Sequence, residues 1–185
     1  MTLFETYLKL EEQARSGNQD LLTLLARSAE RHSQLCPRQV LGVRMGLFAL
    51  SLLSIPDAMP GKRLLVILET DGCFADGVEV TTGCSVGKRT LRIEDVGKVA
   101  GTFVDTYTDQ ALRLVPKPDV RARAWLYTAE PHDNYQAQLE GYQMIPAGDL
   151  FRVHSVRLND PLGEVIGQAG RRVACDICGE EILNQ

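Results

Sequence analysis

The side chains of this chain best suited to chemistry are its three histidines and five cysteines, and two of these stand close together in HSQLCPRQVLGVRMG (32–46). There His32 precedes Cys36 by four residues, and Pro37 opens an apolar run. Proline is favoured at the first helical position, where its missing N–H costs nothing. That puts Cys36 at or beside the N-cap, next to the partial positive charge of the helix end. A thiol so placed is a better metal ligand or nucleophile than an inert core cysteine. The plain alternative is a small buried residue filling a cap position.

Two further cysteines lie in the central block DGCFADGVEVTTGCSVGKRT (71–90). Cys73 follows an apolar strand-like run, with Glu69, Asp71 and Asp76 nearby, and Cys84 lies in a glycine-rich loop. Loops at the ends of central strands are held by a rigid scaffold and commonly carry function. Together His32, Cys36, Cys73 and Cys84 would make a thiol-rich set suited to zinc or another thiophilic metal. Against that, cysteine is often just a small buried hydrophobe, and spacing alone does not bring residues 36, 73 and 84 together.

Two other motifs invite a reading. GCSVGKRT (83–90) suggests a phosphate loop, but three residues rather than four separate its glycines and Arg89 follows Lys88. The motif also precedes a strand instead of opening a helix, so nucleotide binding through it is rejected. Cys175-Asp176-Ile177-Cys178-Gly179 is a CxxCG knuckle, the usual first half of a zinc ribbon or treble clef. A closed structural site needs four ligands, and no second pair follows. A truncated finger, a site completed by another chain or a distant ligand, and a redox CxxC all remain open. The last is the weakest, for no strand–CxxC–helix context surrounds the motif. His132 and His154 are read as surface or packing residues. Trp125, Tyr127, Tyr135 and Tyr142 are read as core or a subunit contact.

The elements that must position these groups are read from periodicity. Leucines at helical spacing give amphipathic helices over 2–15 and 18–31, and a buried helix runs from about 37 to 53. Gly42 and Gly46, on one face of it, permit close packing on a sheet. RLLVILET (63–70) is a strand covered on both faces, followed by a short helix over roughly 73–81 and a strand over 90–95. VAGTFVDTY (99–107) and QALRLVP (110–116) form a hairpin about Thr108-Asp109. Helices over 118–127 and 132–145 and a strand over 151–159 complete a core domain of residues 1–160. Residues 161–170 link it to the tail, and 161–185 form a second, small unit.

Composition sets outer bounds. Hydrophobic content of 44% and charged content of 24% are ordinary for a globular protein. The net charge of −4 gives no nucleic-acid footprint. No apolar run reaches the roughly 20 residues of a membrane span, and MTLFETYLKLEEQ lacks a signal-peptide pattern. A cytoplasmic location is expected. Five cysteines, clustered rather than spread, suit metal or thiol chemistry in a reducing compartment.

With these pieces in view, the chain resembles the FmdE family, named for a component of formylmethanofuran dehydrogenase. The resemblance is carried by HSQLCPRQVLGVRMG (32–46), LETDGCFADGVEVTTGCSVGKRTL (68–91) and EDVGKVAGTFVD (94–105), and CDICGEEI (175–182) is similar to the start of that family's C-terminal zinc finger. It implies an α+β fold with a mixed five-stranded sheet flanked by helices, a thioredoxin-like core, a small C-terminal zinc-knuckle tail and a homodimer. By position it carries the family's metal-site role onto His32, Cys36, Cys73 and Cys84, with Cys36 and Cys73 as the catalytic candidates. Zinc is the expected cofactor, held also by Cys175 and Cys178 in the tail. This chain departs from the family's H-x-H-x-C-P-G pattern, with Gln34 for the second histidine and Arg38 for the glycine. Glutamine is a poor zinc ligand.

Three functions follow as expectations. The first is a metal-binding accessory protein of a molybdenum or tungsten enzyme complex in C1 metabolism. The second is a small zinc enzyme with Asp71 or Asp76 as general base. The third is an interaction module that docks a partner through the tail knuckle.

Overall fold

The computed structural model describes residues 18–32, 34–55, 61–159 and 170–184. The helix expected over 2–15 and most of the linker expected over 161–170 lie outside the described residues.

The first described element, α1 (Asn18–Ala29), is amphipathic as its leucine spacing predicts, burying Leu25 and exposing Leu22. α2 (Pro37–Leu52) carries apolar residues on nearly every side, and most of its length is buried. A helix without a polar face is stable only inside a core. Its C-terminal end is closed by Ser54 in the left-handed region (φ 53°) and by the Ile55 N–H donating to the Leu50 carbonyl at 3.0 Å.

β1 (Leu64–Leu68) leads through α3 (Cys73–Thr82) to β2 (Leu91–Ile93), which pairs parallel to β1. β3 (Gly101–Asp105) pairs antiparallel to β1 on its other side, and β4 (Gln110–Pro116) returns from it as a hairpin. Asp109 takes a positive φ of 59° in the connecting turn. Then come α4 (Val120–Ala124), a 3-10 turn (Trp125–Tyr127), α5 (Asn134–Met144), α6 (Ala147–Leu150) and β5 (Phe151–Val156), the last antiparallel to β4. The sheet order is β2-β1-β3-β4-β5, a mixed five-stranded sheet in an α+β fold, as expected. β6 (Arg171–Ala174) and β7 (Glu181–Asn184) form a separate two-stranded ribbon in the tail.

Alternation along the strands divides the sheet into two faces. Leu64, Val66 and Leu68 share one face with Phe103, Leu112, Leu114 and Phe151, and these join α2 and α3 residues in the main core. Leu65, Val104 and Ala111 point the other way and form a smaller cluster with Val156 and Leu158. β1 is buried at four of its five positions, in keeping with its unbroken apolar run.

Several boundaries differ from expectation for local reasons. The helix expected over 118–127 tightens into the 3-10 turn after Ala124. The strand expected over 151–159 ends at Val156, where pairing with β4 ends. Gly42 packs not on the sheet but on another helix, since a Cβ there would lie 2.2 Å from the Phe74 carbonyl oxygen of α3. Arg44, also on α2, is deeply buried and donates to the carbonyls of Tyr142, Gln143 and Ile145 at the C-terminal end of α5. Burial pulls its pKa down to about 10, so it remains charged at neutral pH.

Candidate functional site

The site begins with the way α2 and α3 touch. Gly42 lies against Phe74, Gly77 and Val78, Gly77 lies against Gln39, Gly42 and Val43, and Gly46 lies against Thr81. Contacts therefore advance along both helices in the same direction, so the two run side by side with their N-termini at one end. Only hydrogen in place of a side chain permits the approach, since a Cβ on Gly77 would stand 2.4 Å from the Gln39 carbonyl oxygen. Cys36 caps the start of α2 and Cys73 is the first residue of α3, so the shared end brings them together. The Cys73 thiol is hydrogen-bonded with that of Cys36. Burial, and then this neighbour, raise the Cys73 pKa above the ordinary thiol value.

Each helix start is fixed locally. Pro37 is at the first turn of α2, and the Cys36 N–H donates to Gln39 Oε1 at 2.8 Å. Gln39 is fully buried, and its Nε2 donates to the Ser28 carbonyl at 2.7 Å and to Ser28 Oγ at 3.2 Å. One glutamine thus ties the end of α1 to the cap of α2. At α3 the chain leaves β1 and turns at Gly72 with φ 71°, a left-handed conformation natural to glycine.

The segment after α1 supplies the polar rim. His32 Nε2 is 2.5 Å from Asp76 Oδ2, and Arg31 Nη1 donates to Glu79 Oε2 at 2.6 Å and to Asp76 Oδ1 at 3.4 Å. From α5, Tyr135 donates its hydroxyl to the Leu35 carbonyl at 3.1 Å. Its pKa is raised by partial burial and then by the nearby Cys36 and Cys73 thiols, which places the ring beside the pair.

Cys84 is not part of this group. It follows the C-terminal end of α3, about 15 Å along the ten-residue helix from Cys73. Its thiol is buried and donates to the Leu64 carbonyl at 3.4 Å. Desolvation raises its pKa, as for a packing thiol. Gln34, which stands where the family pattern has a histidine, is exposed, and so is Arg38. Asp71, the other general-base candidate, is likewise exposed.

In the tail, the Cys175 N–H donates to the Glu180 carbonyl and the Gly179 N–H to the Cys175 carbonyl, both at 2.8 Å. Gly179 has φ 75° and closes the knuckle turn. The Cys175 pKa is lowered, first by the backbone N–H of Cys178 and then by that of Ile177. Cys178 is exposed.

By donor type, two thiols with an imidazole and a carboxylate beside them suit a thiophilic ion. Among the described residues, no three His, Cys, Asp or Glu side chains converge closely enough to form a ready cage. His32 is engaged with Asp76 instead of facing the thiols as a third ligand.

The sequence profile described as "FmdE, Molybdenum formylmethanofuran dehydrogenase operon" matches residues 31–152. The chain belongs to the FmdE family. A protein of Archaeoglobus fulgidus named "Probable S-adenosyl-L-methionine-binding protein" is 44% identical to this FmdE-family chain over 87 residues. The match spans 45% of the chain and only 24% of that protein's length. The crystal structure of an FmdE-like protein of the tungsten formylmethanofuran dehydrogenase type, from Syntrophus aciditrophicus, has a similar fold. The TM-score is 0.58 at 22% identity, covering 88% of this chain and 85% of that one. The family match takes in His32, Cys36, Cys73, Asp76, Cys84 and Tyr135, and leaves the tail knuckle outside.

Sequence reading missed three members of the site. Gln39 carried a signal, since a Glu or Gln three residues after a helix cap is half of a capping box. Arg31 carried only its position beside His32. Tyr135 carried none, because its contact with Leu35 joins residues 100 apart in sequence.

Proposed function

We propose that this FmdE-family protein binds a thiophilic metal ion, zinc foremost, on Cys36 and Cys73, and serves a molybdenum- or tungsten-dependent enzyme of C1 metabolism as an accessory. The observation that carries this reading is the contact between two thiols from separate helix starts. Bound there, zinc would supply Lewis acidity and a firm grip on thiolate or substrate. Cys36 and Cys73 would hold it, and His32 would join them on leaving Asp76. Asp76 would keep the imidazole oriented in the meantime, as carboxylates commonly do for metal-binding histidines. Zinc at Cys175 and Cys178, a homodimer and a cytoplasmic setting belong to the same reading.

The test is metal content of the purified full-length protein, with Cys36→Ala, Cys73→Ala and Cys84→Ala variants. The first two should each lose one equivalent of metal per chain, and Cys84→Ala should lose none. Unchanged stoichiometry in Cys36→Ala and Cys73→Ala would sink the proposal.

The His32–Asp76 hydrogen bond favours a second reading, a small zinc enzyme. In it Asp76 orients His32, and the pair accepts a proton from a water or substrate beside the thiols. Asp76→Asn should then abolish turnover while leaving the metal content intact, and simultaneous loss of metal would count against this reading.

A further inference from the structure

The thiol pair has a chemistry that needs no metal. Cys36 and Cys73 are both free thiols, partly accessible and hydrogen-bonded to each other. Their backbones cannot drift apart, because both belong to helices locked by glycine contacts one turn further on. Tyr135 holds the Leu35 carbonyl immediately before Cys36, and Gln39 holds the Cys36 N–H, so the approach is braced from two sides. An S–S bond is about 2.05 Å long, and side-chain rotation is the natural way to close the remaining gap between two touching thiols. Cys84, buried at the far end of α3, is kept out of the exchange.

We propose that Cys36 and Cys73 form a reversible intrachain disulfide, making this pocket a dithiol centre that exchanges two electrons with low-molecular-weight disulfides. In the forward direction one protein thiolate attacks a sulfur of glutathione disulfide. A mixed disulfide forms and one glutathione thiolate leaves. The second protein thiol gives up its proton to solvent, and its thiolate attacks the protein sulfur of the mixed disulfide. The Cys36–Cys73 bond forms and the second glutathione leaves. Two protein thiols are oxidised and one glutathione disulfide is reduced to two glutathione molecules, as in any thiol–disulfide exchange. The disulfide ties up both thiolates, so it also removes the pair from metal binding. Formation of the bond rests on the thiol contact and not on the metal reading above.

The experiment uses the reduced full-length protein, stripped of metal with a chelator and equilibrated anaerobically with glutathione redox buffers. Free thiols are then blocked and the peptides mapped by mass spectrometry. The expected product is a Cys36–Cys73 linked peptide that vanishes on adding dithiothreitol. In Cys36→Ser or Cys73→Ser the remaining cysteine should stop at the glutathione mixed disulfide. A wild-type protein that yields only mixed disulfides at Cys36 and Cys73, or no oxidation at either, would overturn the proposal. A parallel series with equimolar zinc separates the two readings. Zinc that blocks the Cys36–Cys73 disulfide supports both. Zinc without effect on a disulfide that still forms supports the dithiol centre and sinks the metal reading alone.

Discussion

At the scale of single residues, Gln39 illustrates how much of the site depends on a buried amide. It accepts from the Cys36 N–H and donates twice to Ser28, and its side chain is wholly enclosed. Replacing it with alanine leaves those buried groups without partners, each at about 1–3 kcal/mol before relaxation. Gln39→Ala is expected to lower unfolding free energy in urea by about 2–4 kcal/mol and to loosen the Cys36 cap. A change below about 0.5 kcal/mol, the usual size of a neutral surface substitution, would show that the amide has no such role. The residue scale is also where sequence reading erred. Cys84 shares its residue type with Cys36 and Cys73, yet α3 separates it from them by its whole length. Spacing of 11 positions across a helix of unknown phase could not reveal that. The Cys36 cap, in contrast, was legible because Pro37 marks the helix start.

At the scale of elements, the α2–α3 contact makes the site. Nothing in α3 alone brings Cys73 to Cys36; the parallel packing through Gly42 and Gly77 does. A methyl group on either meets backbone oxygen well inside contact distance, at 2.2 Å from Phe74 or 2.4 Å from Gln39. Backbone yields less readily than a flexible side chain, so the helices must separate. Gly77→Ala and Gly42→Ala should each cost about 1–3 kcal/mol or more in unfolding free energy. They should also lower the yield of Cys36–Cys73 disulfide, while Gly87→Ala, where a Cβ meets nothing within 4 Å, should leave it unchanged. Equal disulfide yields in all three would mean that the helix contact does not set the thiol geometry. The glycine spacing on α2 announced a close approach, but not its partner. A helix and a sheet both accept a glycine face, and only the fold chooses between them.

At the scale of the whole molecule, the mixed sheet was legible from its apolar runs and hairpin, while the strand order was not. β1 lies between β2 and β3, so the first strand of the sheet becomes interior. Two ion pairs brace that region. Arg113 donates to Glu69 at 2.5 and 2.8 Å, and Arg63 donates to Asp105 at 3.1 and 2.9 Å. Hydrogen bonding from Arg113 holds the Glu69 pKa below its ordinary value, and that from Arg63 does the same for Asp105. A carboxylate depressed by folding stabilises the fold above its unfolded pKa, about 4, and loses that contribution as pH falls through the folded value. Urea midpoints should therefore drop between about pH 5 and about pH 3. Glu69→Gln should begin lower and fall less steeply, and a variant with the wild-type slope would show that this pair does not contribute.

The central claim is that the shared start of α2 and α3 is a metal-holding thiol site. The most direct measurement is an anomalous-scattering map from crystals of the full-length protein soaked with zinc. The account predicts a peak between the sulfurs of Cys36 and Cys73, a second at the Cys175–Cys178 knuckle, and none beside Cys84. A map with no peak at Cys36 and Cys73, or with one at Cys84 instead, would contradict it.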